Sequence, residues 1–214
     1  MRPELHIITP VGRPQLLPRV AASLAASQLR QRFAVTWWVM YNAPAVPPGA
    51  AAGLSTTRAA DTVITVPSPA PGLDATGRPA YGHAQRAHAL DLMGDTSTVW
   101  TWVLDDDNLV HPDMAAGLSA LIQHCPDARG FIVGQERADG AWFTPCPALV
   151  MPGTIDTAQY ILRRDLIGAE RIRPVYADDG GFIQRVFQAA PKAFVFSDTV
   201  LTYWNGQELI DRRA

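Results

Sequence analysis

The chain has 214 residues, of which 48% are hydrophobic and 18% are charged, and its formal net charge is -2. This length suits one substantial domain, and the apolar content excludes a globally disordered protein. The near-neutral charge excludes a general electrostatic attraction to nucleic acid or to acidic membranes.

The front half of the chain alternates strands with helices. Residues 5–9, 33–41 and 61–66 are apolar or β-branched runs that predict strands. Apolar side chains recur at helical spacing in residues 16–29 and again in residues 79–93. Segments rich in proline, alanine and glycine predict loops; they lie at residues 42–53 and 67–77.

The fourth predicted strand ends at three aspartates. Residues 99–104 form an apolar run typical of a strand buried on both faces, and Asp105, Asp106 and Asp107 follow it. Adjacent carboxylates repel one another by about 1 kcal/mol per close pair in water, so we expect a cation among them. Side chains alternate along an extended strand, so Asp105 and Asp107 can point the same way and hold a divalent metal. The alternative is a turn that binds nothing.

The back half predicts a helix at residues 114–124, strands at 130–135, 141–150 and 193–203, and a strand end or short helix at 157–167. A second acidic pair, Asp178 and Asp179, precedes an amphipathic helix at residues 182–189. These elements predict an α/β protein with a Rossmann-like, nucleotide-binding N-terminal half. The acidic strand end should then lie where open α/β sheets bind ligands.

Other composition features bear on location. The two cysteines, Cys125 and Cys146, have neither metal-ligand spacing nor the pattern of a disulfide framework. We therefore expect a reduced protein of the cytoplasm. No apolar run reaches the roughly 18 residues that a membrane span requires, so we expect no transmembrane segment.

Four short motifs, taken in order, resemble glycosyltransferases of the GT-A fold, in particular the family 2-like inverting enzymes and, in local wording, the glucuronyltransferases. The motifs are Ile-Thr-Pro-Val-Gly-Arg-Pro at 8–14, Gly-His-Ala-Gln-Arg-Ala-His-Ala-Leu at 82–90, Leu-Asp-Asp-Asp-Asn at 104–108 and Ala-Asp-Asp-Gly-Gly-Phe-Ile-Gln-Arg at 177–185. The chain departs from the family at Ala87, where Asn is usual. It also has no histidine beyond His124, where some members have a further metal ligand.

The resemblance implies a single GT-A-like domain over residues 1–214, with a mixed, mostly parallel central sheet flanked by helices. The donor would bind to the half at about 1–110 and the acceptor to the half at about 111–214. The implied reaction moves a sugar from a nucleoside-diphosphate sugar to an acceptor hydroxyl with inversion, as in the family, and it uses Mn2+ or Mg2+. The acceptor would be a glycan, a small molecule or a modified nucleic acid base.

Site residues follow from these motifs. Asp105 and Asp107 would hold the metal, whose other ligands would be diphosphate oxygens and water. The predicted donor-binding residues are Thr9, Pro10, Arg13, Arg86, Asp105, Asp106 and Asp156. For Arg13 and Arg86 the alternative is a solvated side chain, and for Asp106 it is a buried aspartate that shapes a turn.

The resemblance implies that Asp179 is the general base, because it aligns with the base of the family, and Asp178 is the near equal. Helix capping competes for one of the two. The glycines at 180 and 181 would admit a substrate close to the backbone or ease a turn. We interpret His83, His88 and His111 as structural or peripheral. Trp142 and Trp204 would lie in the core or stack on a sugar or base.

Two other functions stay open. Nucleotidyl transfer also uses carboxylates and magnesium. It favours a glycine-rich or lysine-bearing phosphate loop near the N-terminus, and this sequence has neither kind of loop there. A binding module would keep the nucleotide-sugar pocket without turnover. A phage-type enzyme that glycosylates DNA bases is a subtype suited to the small chain, although the near-neutral charge argues against it.

Overall fold

The computed structural model describes residues 1–42, 46, 49–68, 82–94, 98–137, 140, 142–175 and 177–204, without the side chains of residues 50–52 and 142. Most of the loop predicted at 67–77, the start of the helix predicted at 79–93 and the Trp142 side chain lie outside the described residues.

Strands of the described residues form one mixed sheet of nine. They are β1 (Glu4–Val11), β2 (Ala34–Tyr41), β3 (Thr62–Pro67), β4 (Trp100–Val103), β5 (Leu109–Val110), β6 (Gly130–Arg137), β7 (Trp142–Phe143), β8 (Tyr160–Arg163) and β9 (Phe194–Trp204). The helices are α1 (Leu17–Ala26), α2 (Leu29–Arg32), α3 (Ala50–Ser55), α4 (His83–Met93), α5 (Met114–His124), α6 (Arg164–Ile167) and α7 (Asp178–Ala189). Short 3-10 helices lie at Pro14–Leu16, Pro147–Leu149, Thr157–Gln159 and Pro191–Ala193.

The sheet has the order β3-β2-β1-β4-β8-β6-β9-β5, and β7 pairs with β6. The first four strands in this order are all parallel, as the Rossmann-like prediction requires. β8 then runs antiparallel to both of its neighbours, β4 and β6. A mixed sheet flanked by helices confirms the predicted α/β fold class.

Helices cover both faces of the sheet. Side chains alternate across a strand, so Ile7 joins the cluster that includes Leu24 of α1 and Leu118 of α5. Its neighbour Ile8 joins the opposite cluster, with Leu90 of α4 and Ile183 of α7. All six side chains are at most 2% exposed. The described part of the chain contains no helix both long and apolar enough to cross a membrane.

Several predicted elements differ from the structure. Residues 42–53 were predicted to be a loop, but α3 begins within them at Ala50. Residues 141–150 are not one strand: β7 has two residues, and a 3-10 helix occupies Pro147–Leu149. The helix predicted at 182–189 begins at Asp178, because both glycines that precede Phe182 take helical conformation.

The site is positioned by the pairing of β1 with β4. Ile8 lies opposite Val103 in the parallel ladder, and the Leu104 N–H donates to the Ile8 carbonyl at 2.9 Å. β2 and β3 lie on one side of β1 and β4 lies on the other, so the chain changes direction across the sheet at this point. Ligands of open α/β sheets bind in the crevice at such a switch point. The loops at residues 12–13 and 105–107 meet there.

Candidate functional site

Asp106 joins the two loops at the crevice. Its Oδ2 accepts from the main-chain N–H groups of Gly12 at 2.8 Å and Arg13 at 2.6 Å. Its Oδ1 accepts from Arg13 Nη2 at 2.7 Å and from Nε at 3.1 Å. Both oxygens are therefore engaged by the loop after β1, and the residue is 3% exposed. These contacts fit the alternative for Asp106, a buried aspartate that shapes the loop. Asp106 also lines the cavity at this crevice, so its contact with a donor stays a prediction.

Arginines supply part of the cationic charge expected among the three carboxylates. Arg13 Nη2 lies 2.7 Å from Asp107 Oδ2 as well as from Asp106, and Arg86 Nη2 donates to Asp105 Oδ1 at 2.5 Å. Arg13 is half exposed, whereas the side chain of Arg86 is 6% exposed. Burial alone would lower the pKa of Arg86, but the Asp105 carboxylate outweighs burial and raises it, so Arg86 stays charged.

Asp105 is held from two elements. Its Oδ1 accepts from Arg86 of α4, and its Oδ2 accepts from the Thr157 hydroxyl at 3.2 Å. Thr157 begins the 3-10 helix that leads into β8. The carboxylate therefore keeps a defined orientation where β4, α4 and the start of β8 meet.

Two cavities adjoin at this carboxylate. The first, which we call the β1 cavity, has a volume of about 410 Å³ and is lined by residues 10–13 and 105–107, Asn42, Gly82, Gln85 and Arg86. The second, the α7 cavity, has about 420 Å³ and is lined by His83, Arg86, Asp105, Phe143, residues 153–156, Ala177, Asp179 and Trp204. Arg86 and Asp105 line both, so this ion pair forms a common wall.

Asp156 lines the α7 cavity on the 3-10 helix before β8. Its Oδ1 accepts from Ala158 N at 2.9 Å, Asn108 Nδ2 at 3.0 Å and Gln135 Nε2 at 3.1 Å. Burial, followed by the negative charge of Asp105, raises the pKa of Asp156 to about 7. The predicted sugar-binding carboxyl thus lies in the cavity, with one oxygen held by three donors.

The two aspartates of α7 have different environments. Asp178 is 9% exposed, and its carboxylate accepts from Arg185 Nη1 at 2.9 Å, from Nη2 at 3.1 Å and from Arg173 N at 2.5 Å. Asp179 lines the α7 cavity, and burial raises the pKa of its carboxyl. The structure therefore brings Asp179 to the site and ties Asp178 to the segment that precedes α7 and to Arg185. The predicted alternative of helix capping is not what holds Asp178, because the N-cap of α7 is Ala177 and has no side-chain cap hydrogen bond.

Gly180 and Gly181 serve packing. A Cβ at Gly180 would lie 2.6 Å from the Met151 carbonyl oxygen, and a Cβ at Gly181 would lie 2.5 Å from Asp178 Oδ1. Both residues are buried inside α7. The missing side chain of Gly180 lets the first turn of the helix approach the backbone at 151–152, and that of Gly181 leaves room for the Asp178 carboxylate. Close packing therefore accounts for both glycines, rather than a turn, because both lie inside the helix.

The motif at residues 8–14, which begins inside β1, contributes a core residue and two cavity residues. Thr9 is fully buried, and its hydroxyl accepts from Trp37 Nε1 at 2.9 Å, so its side chain belongs to the core. The prediction that Thr9 binds the donor is not met by this position. Pro10 and Arg13 do line the β1 cavity.

Trp204 lines the α7 cavity with Phe143, and the guanidinium of Arg137 lies 4.9 Å from the Trp204 ring and 5.4 Å from the Phe143 ring.

Sequence reasoning missed three kinds of residue at this site. His83, interpreted as structural or peripheral, lines the α7 cavity. Asn108 and Gln135 hold Asp156, and Thr157 holds Asp105. Asn108 directly follows the three aspartates, which was a usable signal. Gln135 and Thr157 offered none, because their partners are distant in sequence.

The carboxylates fit a divalent cation. Asp105 and Asp107 line the same cavity, and the pKa of Asp107 is raised, first by burial and then by the charge of Asp105. Such partly buried, mutually repelling oxygens suit Mg2+ or Mn2+. Within the described ranges no group of three or more His, Cys, Asp or Glu side chains is arranged around a metal position. An ion here would have two protein ligands and would need further oxygens from substrate or water.

No protein-family profile matches the chain, and no curated protein matches its sequence. Its fold is similar to solved structures. TarS 1-349 of S. aureus has a TM-score of 0.65 at 11% identity, over 97% of this chain and 62% of that one. Its complex with UDP-GlcNAc has a TM-score of 0.65 at 11% identity, over 94% and 58%. The mannosyltransferase PcManGT of Pyrobaculum calidifontis, in complex with GDP-Man and Mn2+, has a TM-score of 0.61 at 15% identity, over 96% and 57%.

The chain spans less than two thirds of the length of each of these structures. With identities of 11% to 15%, the likeness establishes the fold. It extends over nearly all of this chain, including the sheet that carries the aspartates after β4. The chain therefore has the GT-A-like fold that its four motifs predicted.

Proposed function

We propose that this protein is a metal-dependent, inverting glycosyltransferase that moves a sugar from a nucleoside-diphosphate sugar to an acceptor hydroxyl. One observation carries the proposal: the β1 and α7 cavities share the Arg86–Asp105 pair, and Asp179 lines the second cavity. A diphosphate in the first cavity and a sugar in the second would therefore meet at this pair, with a carboxylate available to the acceptor.

The β1 cavity would bind the nucleoside diphosphate. Arg13 is half exposed there, and Arg86 carries a buried positive charge that can face phosphate oxygens. Mn2+ or Mg2+ held by Asp105 and Asp107 would neutralise the charge that develops on the leaving diphosphate. The solved structures with UDP-GlcNAc, or with GDP-Man and Mn2+, support this class of donor.

Asp179 would act as the general base. The acceptor hydroxyl loses its proton as the new bond forms, and a carboxylate within reach can take that proton. Burial raises the pKa of Asp179, which makes its carboxylate a stronger base than an exposed aspartate. A separate base on the acceptor fits direct displacement, and hence inversion. Asp178 is excluded from this role in the proposal because Arg185 and Arg173 N occupy its carboxylate.

Asp156 would bind a sugar hydroxyl. Its Oδ1 is held by three donors, so the carboxyl has a fixed orientation in the α7 cavity. This cavity takes His83 and Arg86 from the predicted donor half of the chain and Asp156 and Asp179 from the predicted acceptor half. The two halves, about 1–110 and 111–214, would thus meet at the transferred sugar. The cytoplasmic location inferred from the cysteine content stays a prediction.

A ligand screen followed by a transfer assay tests the proposal. Thermal shifts would be measured with nucleoside diphosphates and their sugars, with and without Mn2+, because a ligand stabilises a protein in proportion to the logarithm of its concentration over its Kd. The preferred sugar nucleotide would then be incubated with pooled glycans, small hydroxyl compounds and DNA with hydroxylated bases.

We expect Mn2+-dependent stabilisation and release of the nucleoside diphosphate in at least one acceptor pool. Binding without release in any pool would favour the nucleotide-sugar-binding module. Pyrophosphate release from nucleoside triphosphates would favour nucleotidyl transfer. Release with modified DNA alone would identify the DNA-base subtype.

A further inference from the structure

Two aromatic side chains line the α7 cavity, Phe143 of β7 and Trp204 of β9. Both are partly exposed, and neither has a role in the function proposed above. Their ring centroids lie 6.2 Å apart with the ring planes at 77°, which is an edge-to-face arrangement. We call this pair the aromatic shelf. Ligand sites commonly combine aromatic walls with a few polar groups, so the shelf is a candidate contact for a substrate.

The pairing of three strands fixes where the aromatic shelf lies. Phe143 is opposite Gln135 in the β6–β7 ladder. Trp204 is opposite Arg137 in the β6–β9 ladder. Residues directly opposite each other, and residues two apart on one strand, have side chains on the same face of the sheet. The shelf therefore lies on the face of β6 that carries Gln135, whose Nε2 donates to Asp156 at 3.1 Å.

The guanidinium of Arg137 contacts both rings without forming part of the cavity wall. Its distances to the two ring centroids, 4.9 Å for Trp204 and 5.4 Å for Phe143, are those of cation–π contacts. Arg137 is absent from the described residues that line the α7 cavity. Ring surface, rather than this positive charge, therefore borders the space, and the guanidinium helps to hold the rings in place.

The charge of the α7 cavity selects among acceptors. Three acidic side chains line it, those of Asp105, Asp156 and Asp179. The guanidinium of Arg86 on the same wall is already paired with Asp105. Nucleic acids bind through Lys and Arg contacts to phosphate, so this wall disfavours them.

An uncharged sugar ring suits both parts of the wall. Its hydroxyl groups can donate to carboxylates, and the C–H groups on one face of the ring can pack against an aromatic side chain. An open-chain polyol has the hydroxyl groups but presents no such apolar face. The combination of acidic side chains with the aromatic shelf therefore favours a ring over a chain.

We propose that the acceptor is a sugar ring, of a glycan or a simple glycoside, which stacks on the aromatic shelf with its reacting hydroxyl towards Asp179. The inference rests on the proposed function and narrows its acceptor. The acceptor oxygen bonds to the anomeric carbon, the diphosphate leaves with the bonding electrons, and the hydroxyl proton goes to Asp179. No described residue of β7 or β9 lines the β1 cavity, so the shelf sets the affinity for the acceptor and leaves the diphosphate alone.

A structural role for the rings is the competing explanation. In that case they serve only to hold Arg137 at the end of β6. Replacing a ring that only packs lowers stability and leaves the acceptor KM of the folded protein unchanged. Replacing a ring that contacts the acceptor raises that KM. A ring that contacts the donor sugar instead would, when replaced, weaken donor binding.

The test uses the donor selected by the ligand screen, with Mn2+ present, and three groups of acceptor probes. The first group contains methyl glycosides and short oligosaccharides of glucose, galactose, mannose and N-acetylglucosamine. The second contains glycerol, ribitol and sorbitol, and the third is DNA with 5-hydroxymethylcytosine. Release of the nucleoside diphosphate gives kcat and KM, and calorimetry gives the Kd of the donor.

The proteins are the wild type, Trp204→Leu, Trp204→Phe, Phe143→Leu and the matched control Tyr203→Leu. Tyr203 precedes Trp204 on β9, is partly exposed and lines neither cavity. Melting temperatures identify any variant that fails to fold. Phe143→Leu decides the question if Trp204→Leu is such a variant.

We expect release with at least one sugar of the first group. Both leucine variants should raise the KM for that sugar about five- to tenfold, the usual effect of losing one aromatic contact. The donor Kd should stay unchanged in both variants. Trp204→Phe keeps a ring and should restore most of the loss, and Tyr203→Leu should match the wild type.

Three results would overturn the inference while the proposed function stands. They are release with open-chain polyols or DNA alone, an unchanged KM in the folded leucine variants, and a rise in donor Kd that equals the rise in KM. A wild-type protein that binds no donor, or releases no diphosphate with any group, would overturn the proposed function and the inference with it.

Discussion

Arg86 Nη2 donates to Asp105 Oδ1 at 2.5 Å, and this pair forms the wall between the β1 and α7 cavities. Arg86 is 5% exposed, so it is a buried charge whose partner is part of the candidate metal site. The Thr157 hydroxyl on the other oxygen fixes the carboxylate from β8's side of the sheet. The candidate metal site and a buried ion pair are therefore linked through one carboxylate.

Replacing Arg86 tests that link. Removing one partner of a buried ion pair leaves an uncompensated charge, so Arg86→Met should lower the free energy of unfolding by about 3 kcal/mol or more. The double variant Arg86→Met with Asp105→Asn should recover part of the loss, because it removes the stranded carboxylate. Urea denaturation of the two variants and of Asp105→Asn alone measures this. Additive losses across the three proteins would contradict a coupled pair.

Substitutions of the adjacent residues Asp106 and Asp107 should affect different properties, one the stability of the loop and the other the binding of a metal. Asp107→Asn should weaken Mn2+ binding at least about tenfold, because ligand charge sets the affinity of such sites. Asp106→Asn should instead lower stability by about 1–3 kcal/mol, since it weakens the acceptor for Gly12 N, Arg13 N and the Arg13 guanidinium. Mn2+ titration by electron paramagnetic resonance, with nucleoside diphosphate present, and urea denaturation give both quantities. The reverse assignment would show that Asp106 is the ligand.

Substitutions of the two aspartates at the start of α7 should also affect different properties, one the transfer rate and the other the stability of the protein. Asp179→Asn should keep donor affinity and lower the transfer rate about 10²- to 10⁴-fold, the usual worth of a general base. Asp178→Asn should lower stability by about 1–3 kcal/mol, because Arg185 and Arg173 N lose a charged acceptor. Donor calorimetry, initial rates and thermal melts are needed for both. Transfer that survives Asp179→Asn and is lost in well-folded Asp178→Asn would move the base to Asp178.

Asp156 should make stability depend on pH. Its pKa is raised from 3.8 to about 7 in the fold, so between about pH 4 and pH 7 the folded state binds a proton that the unfolded state does not. Stability from this group is therefore lost as pH rises through that window. Asp156→Asn keeps an oxygen for the Ala158, Asn108 and Gln135 donors and cannot ionise.

The comparison uses protein freed of metal by chelation. Asp156→Asn should be more stable than the wild type at pH 8, and the difference should disappear near pH 4. Thermal melts across the pH range check this, with Asp113→Asn as the control because the Asp113 side chain is 80% exposed. A stability difference that is the same at every pH would show that Asp156 does not titrate in this window.

Gly180 should be required for the packing of α7. A Cβ there would lie 2.6 Å from the Met151 carbonyl oxygen and 2.7 Å from the Pro152 Cα, both backbone atoms. We expect Gly180→Ala to lower stability by about 1–3 kcal/mol, as overpacking does, although alanine favours a helix. Gly53→Ala in α3 is the matched control, since a Cβ there meets nothing within 4 Å. Urea denaturation should show the loss in Gly180→Ala alone.

Local patterns were sufficient for the parallel strands of the front half and for the place of the acidic cluster, but not for residues 141–150. The six residues before Asp105 are five apolar residues and one threonine, a pattern typical of a buried strand, and the strand they form, β4, is buried throughout. Parallel pairing of β1, β2 and β4 then brings the loop after β1 to the aspartates. These features depend on which residues are hydrophobic and on the spacing at which they recur. Both are properties of short segments, so the sequence alone predicts them.

Only the tertiary structure decided which groups surround each carboxylate. The partners of Asp106 are 93 and 94 residues away, and those that hold Asp156 include Asn108 and Gln135, 48 and 21 residues away. Neighbouring aspartates look alike in sequence, but Asp106 accepts from two main-chain N–H groups of the loop after β1. Asp178 pairs with Arg185, whereas Asp179 lines the α7 cavity. A side chain's role depends on the charges and donors that the fold brings within about 3 Å of it, and no local pattern specifies that distance.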